Sequence, residues 1–137
     1  MKDRSQEVDL IIPMIPEMEL TATKAAEAVG EFMGLDQDQI EEIKIALIEA
    51  CINAFEHSHS PDGRVSINFE MGEEGMLIQI RDHGQGFDLS EVREQLEDRH
   101  GRGEHRGWGL QIMEELMDEV QVDSSEQGTV ITMVKRR

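Results

Sequence analysis

Apolar residues recur along the chain with two spacings, and each spacing predicts one kind of element. Segments in which they return every three or four positions predict two long helices, from about Glu17 to Met33 and from the capping residue Asp36 to about Ser58. A third helix is predicted to begin at Gly107-Trp108-Gly109-Leu110. Segments in which apolar and polar residues alternate predict strands, at Val8–Ile12, Arg64–Met71, Met76–Ile80, around Val120 and Val122, and at Thr129–Val134.

The two long helices differ in how much of their surface is apolar. We expect the first to end at Gly34 and to turn five residues toward the core, namely Leu20, Ala25, Ala28, Val29 and Phe32. The second has two adjacent apolar stripes, Ile40, Ile43, Leu47, Ala50 and Ala54 on one side and Ile45, Ile48, Ile52 and Phe55 on the other. Two such stripes predict that the second helix is largely buried.

The order of the elements is strand, two helices, two strands, loop, helix and two strands. Residues Gly72–Gly75 predict the turn of an antiparallel hairpin, and residues 87–106 predict a charged loop with a short helix near Leu89–Leu96. This order predicts an α+β fold, a two-layer sandwich with helices on one face of a mixed, mostly antiparallel sheet. The length of 137 residues matches one domain, residues 1–137.

The charge of the chain narrows the range of partners. Its formal net charge of −17 at pH 7 repels nucleic-acid phosphates, so we expect no direct nucleic-acid partner. No apolar run approaches the roughly 18 residues that cross a bilayer, and the first residues lack a signal-type segment, so we expect a cytoplasmic protein without membrane contact. The single cysteine, Cys51, lies among apolar helical residues and is expected to be a buried structural thiol.

Two polar residues interrupt the apolar part of the second helix. Glu49 and Asn53 are four residues apart, so their side chains project side by side. Left unpaired in a buried helix, each would cost about 1–3 kcal/mol, so both need partners. Either they bond neighbouring backbone, or Asn53 binds a metal ion and Glu49 acts as a base, since Mg²⁺ prefers oxygen ligands.

A glycine-rich motif follows the strand that ends near residue 82. In Asp82-His83-Gly84-Gln85-Gly86 the glycines permit a tight turn and close approach of the backbone to a ligand. The Asp82 carboxylate at the strand end could accept a hydrogen bond from an exocyclic amine such as that of adenine. The alternative is an ordinary surface turn.

A second glycine motif, Gly107-Trp108-Gly109-Leu110, directly precedes a helix, where free backbone N–H groups favour phosphate. An acidic chain needs a metal ion and local positive charge to hold a nucleoside triphosphate. Five basic or titratable side chains lie just before the motif, at Arg99, His100, Arg102, His105 and Arg106. A solvated surface loop is the alternative interpretation.

Taken together, the three motifs resemble those of the gyrase, MutL and histidine-kinase ATPase superfamily. The segment Glu49–Ala54 matches its N box, Asp82–Gly86 its first glycine box and Gly107–Leu110 its second, while Gln127-Gly128-Thr129 looks like its Gly-Thr element. The resemblance implies the ATP-binding fold of that superfamily, an ATP lid at about residues 87–106, and ATP and Mg²⁺ as cofactors.

Within that superfamily the chain resembles the anti-sigma-factor serine kinases over nearly its whole length. The motifs are Glu49-Ala50-Cys51-x-Asn53-Ala54-x-x-His57 and Leu116-Met117-Asp118-Glu119-Val120. This resemblance implies a serine/threonine kinase that transfers the ATP γ-phosphoryl group to a small STAS-type antagonist protein in a partner-switching circuit. It also implies a homodimer and, in many members, binding of a sigma factor and regulation of transcription.

The same resemblance assigns roles by position. Asn53 would bind Mg²⁺, Glu49 would act as the catalytic base, and Asp82, supported by Thr129, would read the adenine amine. The remaining contacts to ATP would come from Gly84, Gly86, Arg106, Gly107, Gly109 and Leu110.

Two other functions stay open at the level of sequence. One is a non-catalytic, ATP-dependent module that sequesters a regulator, which has less use for Glu49. The other is the ATP-binding domain of a histidine kinase, which the Glu-Ala-Cys-Ile-Asn form of the N box makes less favoured. Trp108 and the strongly charged residues 99–106 depart from the family pattern without removing a catalytic group.

Overall fold

The computed structural model of the protein describes residues 6–57, 61–83, 109–126 and 128–137, which form a helical layer packed on a sheet. The elements in chain order are β1 (Glu7–Pro13), α1 (Glu19–Met33), α2 (Gln37–His57), β2 (Arg64–Met71), β3 (Gly75–Asp82), α3 (Gly109–Leu116), β4 (Glu119–Ser125) and β5 (Gly128–Arg136). The predicted lid at residues 87–106, with its short helix, lies outside the described residues.

The five strands form one sheet in the order β1-β2-β3-β5-β4, and every neighbouring pair is antiparallel. The predicted α+β sandwich is therefore confirmed, and no parallel pair occurs among the described strands. Strand β3 is central, with Ile80 opposite Ile67 on one side and Ile131 on the other. The alternation along β3 ends at Asp82, which extends the row of buried side chains on the helix-facing side.

The core lies between the sheet and the helices, and the opposite face of the sheet is mostly polar, with a few apolar residues such as Ile11. On that outer face the Asn68 side-chain amide donates to the carboxylates of Asp9, at 2.6 Å, and Glu7, at 3.2 Å. The helix-facing side carries the buried apolar residues of β1, β2, β3 and β5, namely Ile12, Val65, Ile67, Phe69, Met76, Ile78, Ile80, Ile131 and Met133. Val120 and Val122 of β4 are partly buried against the same core. One face is thus buried and one is left for solvent or contacts.

Helix α1 buries a different stripe from the predicted one. Of the five residues expected in the core, Val29 is buried, whereas Leu20 and Phe32 are 53% and 75% exposed. The buried face is Ala22, Ala26, Val29 and Met33, which repeats with the same spacing but is rotated around the helix. The small alanines let α1 lie close to its neighbours, so packing rather than side-chain size selects the face. The helix ends at Gly34, as predicted.

Helix α2 begins with a reciprocal cap. The Asp36 carboxylate accepts from the Gln39 N–H at 2.8 Å, and the Gln39 side-chain carbonyl accepts from the Asp36 N–H at 3.1 Å. Only the first predicted apolar stripe is fully buried, while in the second Ile45 is 45% exposed. The second stripe therefore remains partly open to solvent. None of the described helices is long and apolar enough to span a membrane.

Helix α3 is tied to α2 by a lysine from the last strand. The Lys135 ammonium, which is buried, donates to the Leu116 carbonyl at 2.6 Å and lies 3.0 Å from the Glu42 carboxylate. Lys135 follows Ile131 and Met133 at every second position of β5, so all three side chains face the helices. Burial of a charge is costly unless it is paired, and both partners are present here. The end of α3 is thereby fixed to α2 and β5.

Candidate functional site

The two polar residues of α2 lie beside each other at the boundary of the core. Asn53 is 5% exposed, and Glu49, one turn earlier, is half-buried. Glu49 has an interaction partner in the structure, so it is not a free carboxylate. The predicted side-by-side arrangement on α2 is therefore present, at the place where α3 meets α2.

The first residue of α3 packs directly onto this pair. A Cβ atom built on Gly109 would lie 2.9 Å from Oε2 of Glu49 and 3.3 Å from Nδ2 of Asn53. Real Cβ atoms do not approach a neighbour within 3.0 Å, so a side chain at this position would displace the Glu49 carboxylate. Leu110, the next residue, is 5% exposed and anchors the start of α3 in the core. The absence of a side chain at Gly109 thus leaves room for the Glu49 carboxylate at this position.

Asp82 is the last residue of β3 and faces the helical layer, with 3% of its surface exposed. It pairs with Val65 of β2 on one side, and the register of Arg81 with Val130 places Thr129 beside it on the other. Asp82 also has an interaction partner. An ionised carboxylate of this kind can accept hydrogen bonds but donate none.

The start of β5 passes very close to the backbone of Asp82. Gly128 has φ of +130°, and a Cβ built on it would overlap the carbonyl oxygen of Asp82. The side chain of Thr129 is buried, and its hydroxyl lies 3.2 Å from that of Ser124 on β4. Glycine is required at position 128 by both conformation and space. Gly128 and Thr129 of the Gly-Thr element therefore border Asp82.

The described residues fall into two groups. Glu49, Asn53 and Gly109 meet where α2 and α3 touch, and Asp82, Gly128 and Thr129 meet at the ends of β3 and β5. The other predicted ATP contacts, Gly84, Gly86, Arg106 and Gly107, lie outside the described residues, as does the basic cluster at residues 99–106.

The donor set of the described groups fits Mg²⁺ and ATP. Asn53 and Glu49 offer amide and carboxylate oxygens, the hard ligands that Mg²⁺ takes, and Mg²⁺ usually binds one or two protein groups together with phosphate oxygens. In the described ranges there is no cluster of three or more His, Cys, Asp or Glu side chains that could hold a metal without a ligand's help.

Cys51 lies on α2 between Glu49 and Asn53 but takes no part in this chemistry. It is fully buried, and burial, with a smaller contribution from the negative charge of Glu19, raises the pKa of its thiol to about 12. A thiol is a nucleophile only as thiolate. The expected structural role of Cys51 is consistent with its burial and protonation.

Two residues that position the site were not singled out as site residues from the sequence. Gly128 was noted only as part of the Gly-Thr element, although its positive φ and its approach to Asp82 make it indispensable there. Lys135 fixes the far end of α3. The sequence feature that could have identified Lys135 was its place in the alternation of β5, since it shares the helix-facing side of that strand with Ile131 and Met133.

A family model described as "Histidine kinase-like ATPase domain" matches residues 13–135 of the chain. The chain belongs to this family. The match spans every described element from the end of β1 to β5, so the whole fold, and not one motif, carries the membership. The superfamily resemblance predicted from the N box and the glycine boxes is confirmed.

Within the histidine kinase-like ATPase family, the chain is similar to serine-protein kinases called RsbW. RsbW of Bacillus subtilis (strain 168) is 33% identical, in a match that covers 98% of this chain and 88% of that protein. RsbW of Halalkalibacterium halodurans is 30% identical, over 93% of this chain and 82% of that protein. Near full-length coverage at this identity places the chain among the relatives of serine-protein kinases.

Solved structures support the same fold for this histidine kinase-like ATPase domain. The RsbU and RsbW domains of Rv1364c from Mycobacterium tuberculosis match with a TM-score of 0.72 at 19% identity, over 95% of this chain and 32% of that one. A chain of the SiaB–SiaC complex from Pseudomonas aeruginosa matches with a TM-score of 0.68 at 10% identity, over 96% and 90%. At these identities the likeness is evidence for the fold alone.

Proposed function

We propose that the protein is an ATP- and Mg²⁺-dependent serine/threonine kinase that phosphorylates a small STAS-type antagonist protein in a partner-switching circuit. Its relatives named serine-protein kinase RsbW, at 30% and 33% identity over most of both chains, support this class of activity. The observation that carries the proposal is the contact of Gly109 with both Glu49 and Asn53. It brings the Glu49 carboxylate and the Asn53 side-chain amide together at the N-terminus of a helix.

Each part of that contact has a chemical use in phosphoryl transfer. The backbone at the start of α3 offers N–H groups that favour phosphate. Asn53 supplies an amide oxygen for Mg²⁺, which when bound neutralises charge on the phosphate oxygens. Glu49 is half-buried beside both and can orient an incoming hydroxyl. The group is thus a phosphate and metal site with a base at its edge.

Glu49 acts on the hydroxyl group of the acceptor. As the hydroxyl oxygen bonds to the γ-phosphorus and the bond from that phosphorus to the bridging oxygen of ADP breaks, the Glu49 carboxylate takes the hydroxyl proton. Such a positioned base typically contributes 10²–10⁴-fold to the rate. The absence of a side chain at Gly109 keeps the Glu49 carboxylate in place during this step.

Asp82 is the proposed reader of adenine. It is buried at the end of β3, facing the helical layer, and Gly128 holds the β5 backbone against its carbonyl. An ionised carboxylate accepts hydrogen bonds only, so it can pair with the 6-amino group of adenine, whereas a carbonyl oxygen at that position would be repelled. Thr129, beside Asp82 in the sheet register, supports it. Gly84, Gly86, Arg106, Gly107 and Leu110 complete the proposed contacts to ATP.

The partners follow from the same family. We assign the antagonist as phosphorylation substrate, a sigma factor as the second binding partner, and a homodimer as the working form, in the cytoplasm. The similar Pseudomonas structure is a complex of SiaB with SiaC, so binding of a partner protein has a parallel on this fold. An acidic chain with a formal charge of −17 fits protein partners better than nucleic acid.

Substitution of Glu49 tests the assignment. Glu49→Gln keeps the shape of the side chain but removes the base, so ATP affinity should stay within about threefold while transfer to the antagonist slows by roughly 10²-fold or more. Glu31→Gln, an exposed glutamate on α1, is the matched control and should transfer at the wild-type rate. Undiminished transfer by Glu49→Gln would refute the role of Glu49, and saturable ATP binding without transfer by the wild type would point to a non-catalytic binding module.

A further inference from the structure

The solvent-facing side of α2 carries isoleucines on successive turns. Ile45 is 45% exposed, and Ile48 and Ile52 are half-buried. Positions 45, 48 and 52 follow the three- and four-residue spacing of one helical face, so the three side chains form a continuous apolar row, here called the isoleucine crest. Single exposed apolar residues are ordinary on a protein surface, whereas adjoining apolar side chains on one face are typical of a contact surface, and here one exposed and two half-buried isoleucines adjoin.

The neighbouring helices flank the isoleucine crest and leave Ile45 exposed. On one side α1 is joined to α2 by the Lys44 ammonium, 3.0 Å from the Glu27 carboxylate, which lowers the pKa of Glu27. On the other side α3 contacts α2 through Gly109, which lies against Glu49. Within the described ranges, Ile45 therefore faces solvent between two helices.

Along the axis of α2, the proposed base Glu49 lies between residues of the isoleucine crest. Glu49 lies four residues after Ile45 and three before Ile52, which correspond to about 6 Å and 4.5 Å of helical rise. Glu49 can take a proton only from a hydroxyl group about 2.6–3.2 Å away. Any acceptor must therefore come within a few ångströms of the crest.

A protein acceptor that reaches Glu49 also covers the crest. A standard protein interface takes about 800 Å² on each partner, which as a round patch has a radius of roughly 16 Å. Both Ile45 and Ile52 fall well inside that radius from Glu49. A small-molecule acceptor would leave them exposed, so the apolar row fits a macromolecular substrate.

The ends of the crest indicate the charge of the partner. Asp38 and Glu41 are exposed before Ile45, and Glu56 is exposed after Ile52, all close to the same helical face. Glu41 is paired with the Lys44 ammonium at 3.4 Å, so Asp38 and Glu56 supply most of the acidic character. An apolar centre with an acidic rim is complementary to an apolar patch edged by Lys or Arg. The acidic rim attracts and orients the partner through its charge. The isoleucines supply the apolar surface that is buried when the partner binds.

We propose that the isoleucine crest, Ile45, Ile48 and Ile52, is the docking surface on which the phosphoacceptor protein rests while its hydroxyl group reaches Glu49. This inference rests on the proposed kinase function and adds the surface that selects the protein substrate. The face of the substrate that carries the acceptor hydroxyl is accordingly apolar with a basic edge.

The test compares two isoleucines of similar exposure on opposite layers of the molecule. Ile45→Ser changes the crest, and Ile11→Ser, at a position 62% exposed on β1, is the matched control. The probe is a purified STAS-type antagonist selected from a panel of such proteins. It is the antagonist to which the wild-type protein transfers phosphate or, where no transfer occurs, the antagonist that binds the wild-type protein in calorimetry with ADP present. Ile45→Ser should raise KM and Kd for the antagonist about tenfold, with kcat, ATP affinity and thermal midpoint unchanged, and Ile11→Ser should match the wild type.

The outcomes separate this inference from the kinase assignment. Wild-type binding without transfer refutes the kinase, while a weaker Kd for Ile45→Ser still supports the crest. Normal transfer with equal KM and Kd in both variants overturns the crest and leaves the kinase standing. Loss of ATP affinity in Ile45→Ser also overturns the crest proposal, because the face would then belong to the nucleotide site. A changed sedimentation coefficient overturns it as well, because the face would then contact a second copy of the chain. If the wild type neither binds nor modifies any antagonist, both proposals fail.

Discussion

Replacement of Gly109 by alanine probes the contact that organises the candidate site. The added Cβ would lie 2.9 Å from Oε2 of Glu49, so that carboxylate must move by several tenths of an ångström to reach ordinary contact. Nδ2 of Asn53, at 3.3 Å, must also give slightly. Gly109 does not have a positive φ, so alanine adopts its backbone conformation without strain.

The substitution should therefore affect catalysis more than stability. The atom that must move is the end of a flexible side chain, and alanine is a better helix former than glycine by up to about 1 kcal/mol. The free energy of unfolding should therefore change little. A displacement of about 1 Å in a reacting group can cost about 10²-fold in rate, which corresponds to about 2.7 kcal/mol of transition-state stabilisation. We therefore expect kcat to fall by about 10²-fold.

Single-turnover transfer from labelled ATP to the antagonist measures the effect, with thermal unfolding of the same samples. Gly72→Ala is the matched control, because a Cβ there meets its nearest neighbour, the Gly75 carbonyl, at an ordinary 3.4 Å. A Gly109→Ala protein that transfers within threefold of the wild-type rate would refute the idea that this glycine positions Glu49. A large loss of thermal stability would instead show that the α2–α3 contact is rigid.

Three further predictions concern the buried groups. Asp82→Asn should weaken ATP binding in calorimetry by about tenfold to a hundredfold, the scale of a hydrogen bond to a charged group, with the fold intact; equal affinity would exclude Asp82 as the adenine reader. Gly128→Ala should destabilise the protein in urea by about 1–3 kcal/mol, because of its φ of +130° and its overlap with the Asp82 carbonyl, and an unchanged midpoint would contradict this. Burial raises the pKa of Cys51 from 9.0 to about 12, so the unfolded thiol ionises first and stability should fall as pH rises above about 9. Urea unfolding at pH 8 and 10.5 should show a decrease that is smaller in Cys51→Ala, and an equal decrease in both proteins would refute it.

The elements could be predicted from periodicity, but the orientation of α1 could not. Its apolar residues fall on two overlapping stripes, one through Leu20 and Phe32 and one through Ala22 and Ala26. The larger side chains made the first stripe the better prediction from hydrophobicity alone. The sheet and α2 select the second, because close packing favours small residues at the contact.

The candidate site shows a similar division. The pairing of Glu49 with Asn53 follows from their four-residue spacing on one helix, and the position of Asp82 follows from the end of a strand pattern. The contact of Gly109 with Glu49 depends on how α3 docks on α2, which no local pattern specifies. The exposure of Ile45 was also missed, since a second apolar stripe predicts burial when no partner is considered. The roles assigned to Glu49, Asn53, Asp82 and Thr129 stay predictions.

The two attachments of α3 also restrict how relatives of this protein can diverge. Lys135 joins Leu116 to Glu42 at one end, Gly109 meets Glu49 at the other, and seven residues separate the contact points on each helix. Seven residues rise about 10.5 Å on either helix, so the two spans match. An insertion or deletion of one residue inside either span would shift the contacts by about 1.5 Å and rotate the helix by about 100°. Gaps in an alignment of homologues should therefore fall outside these two stretches, even where their sequences have drifted far apart.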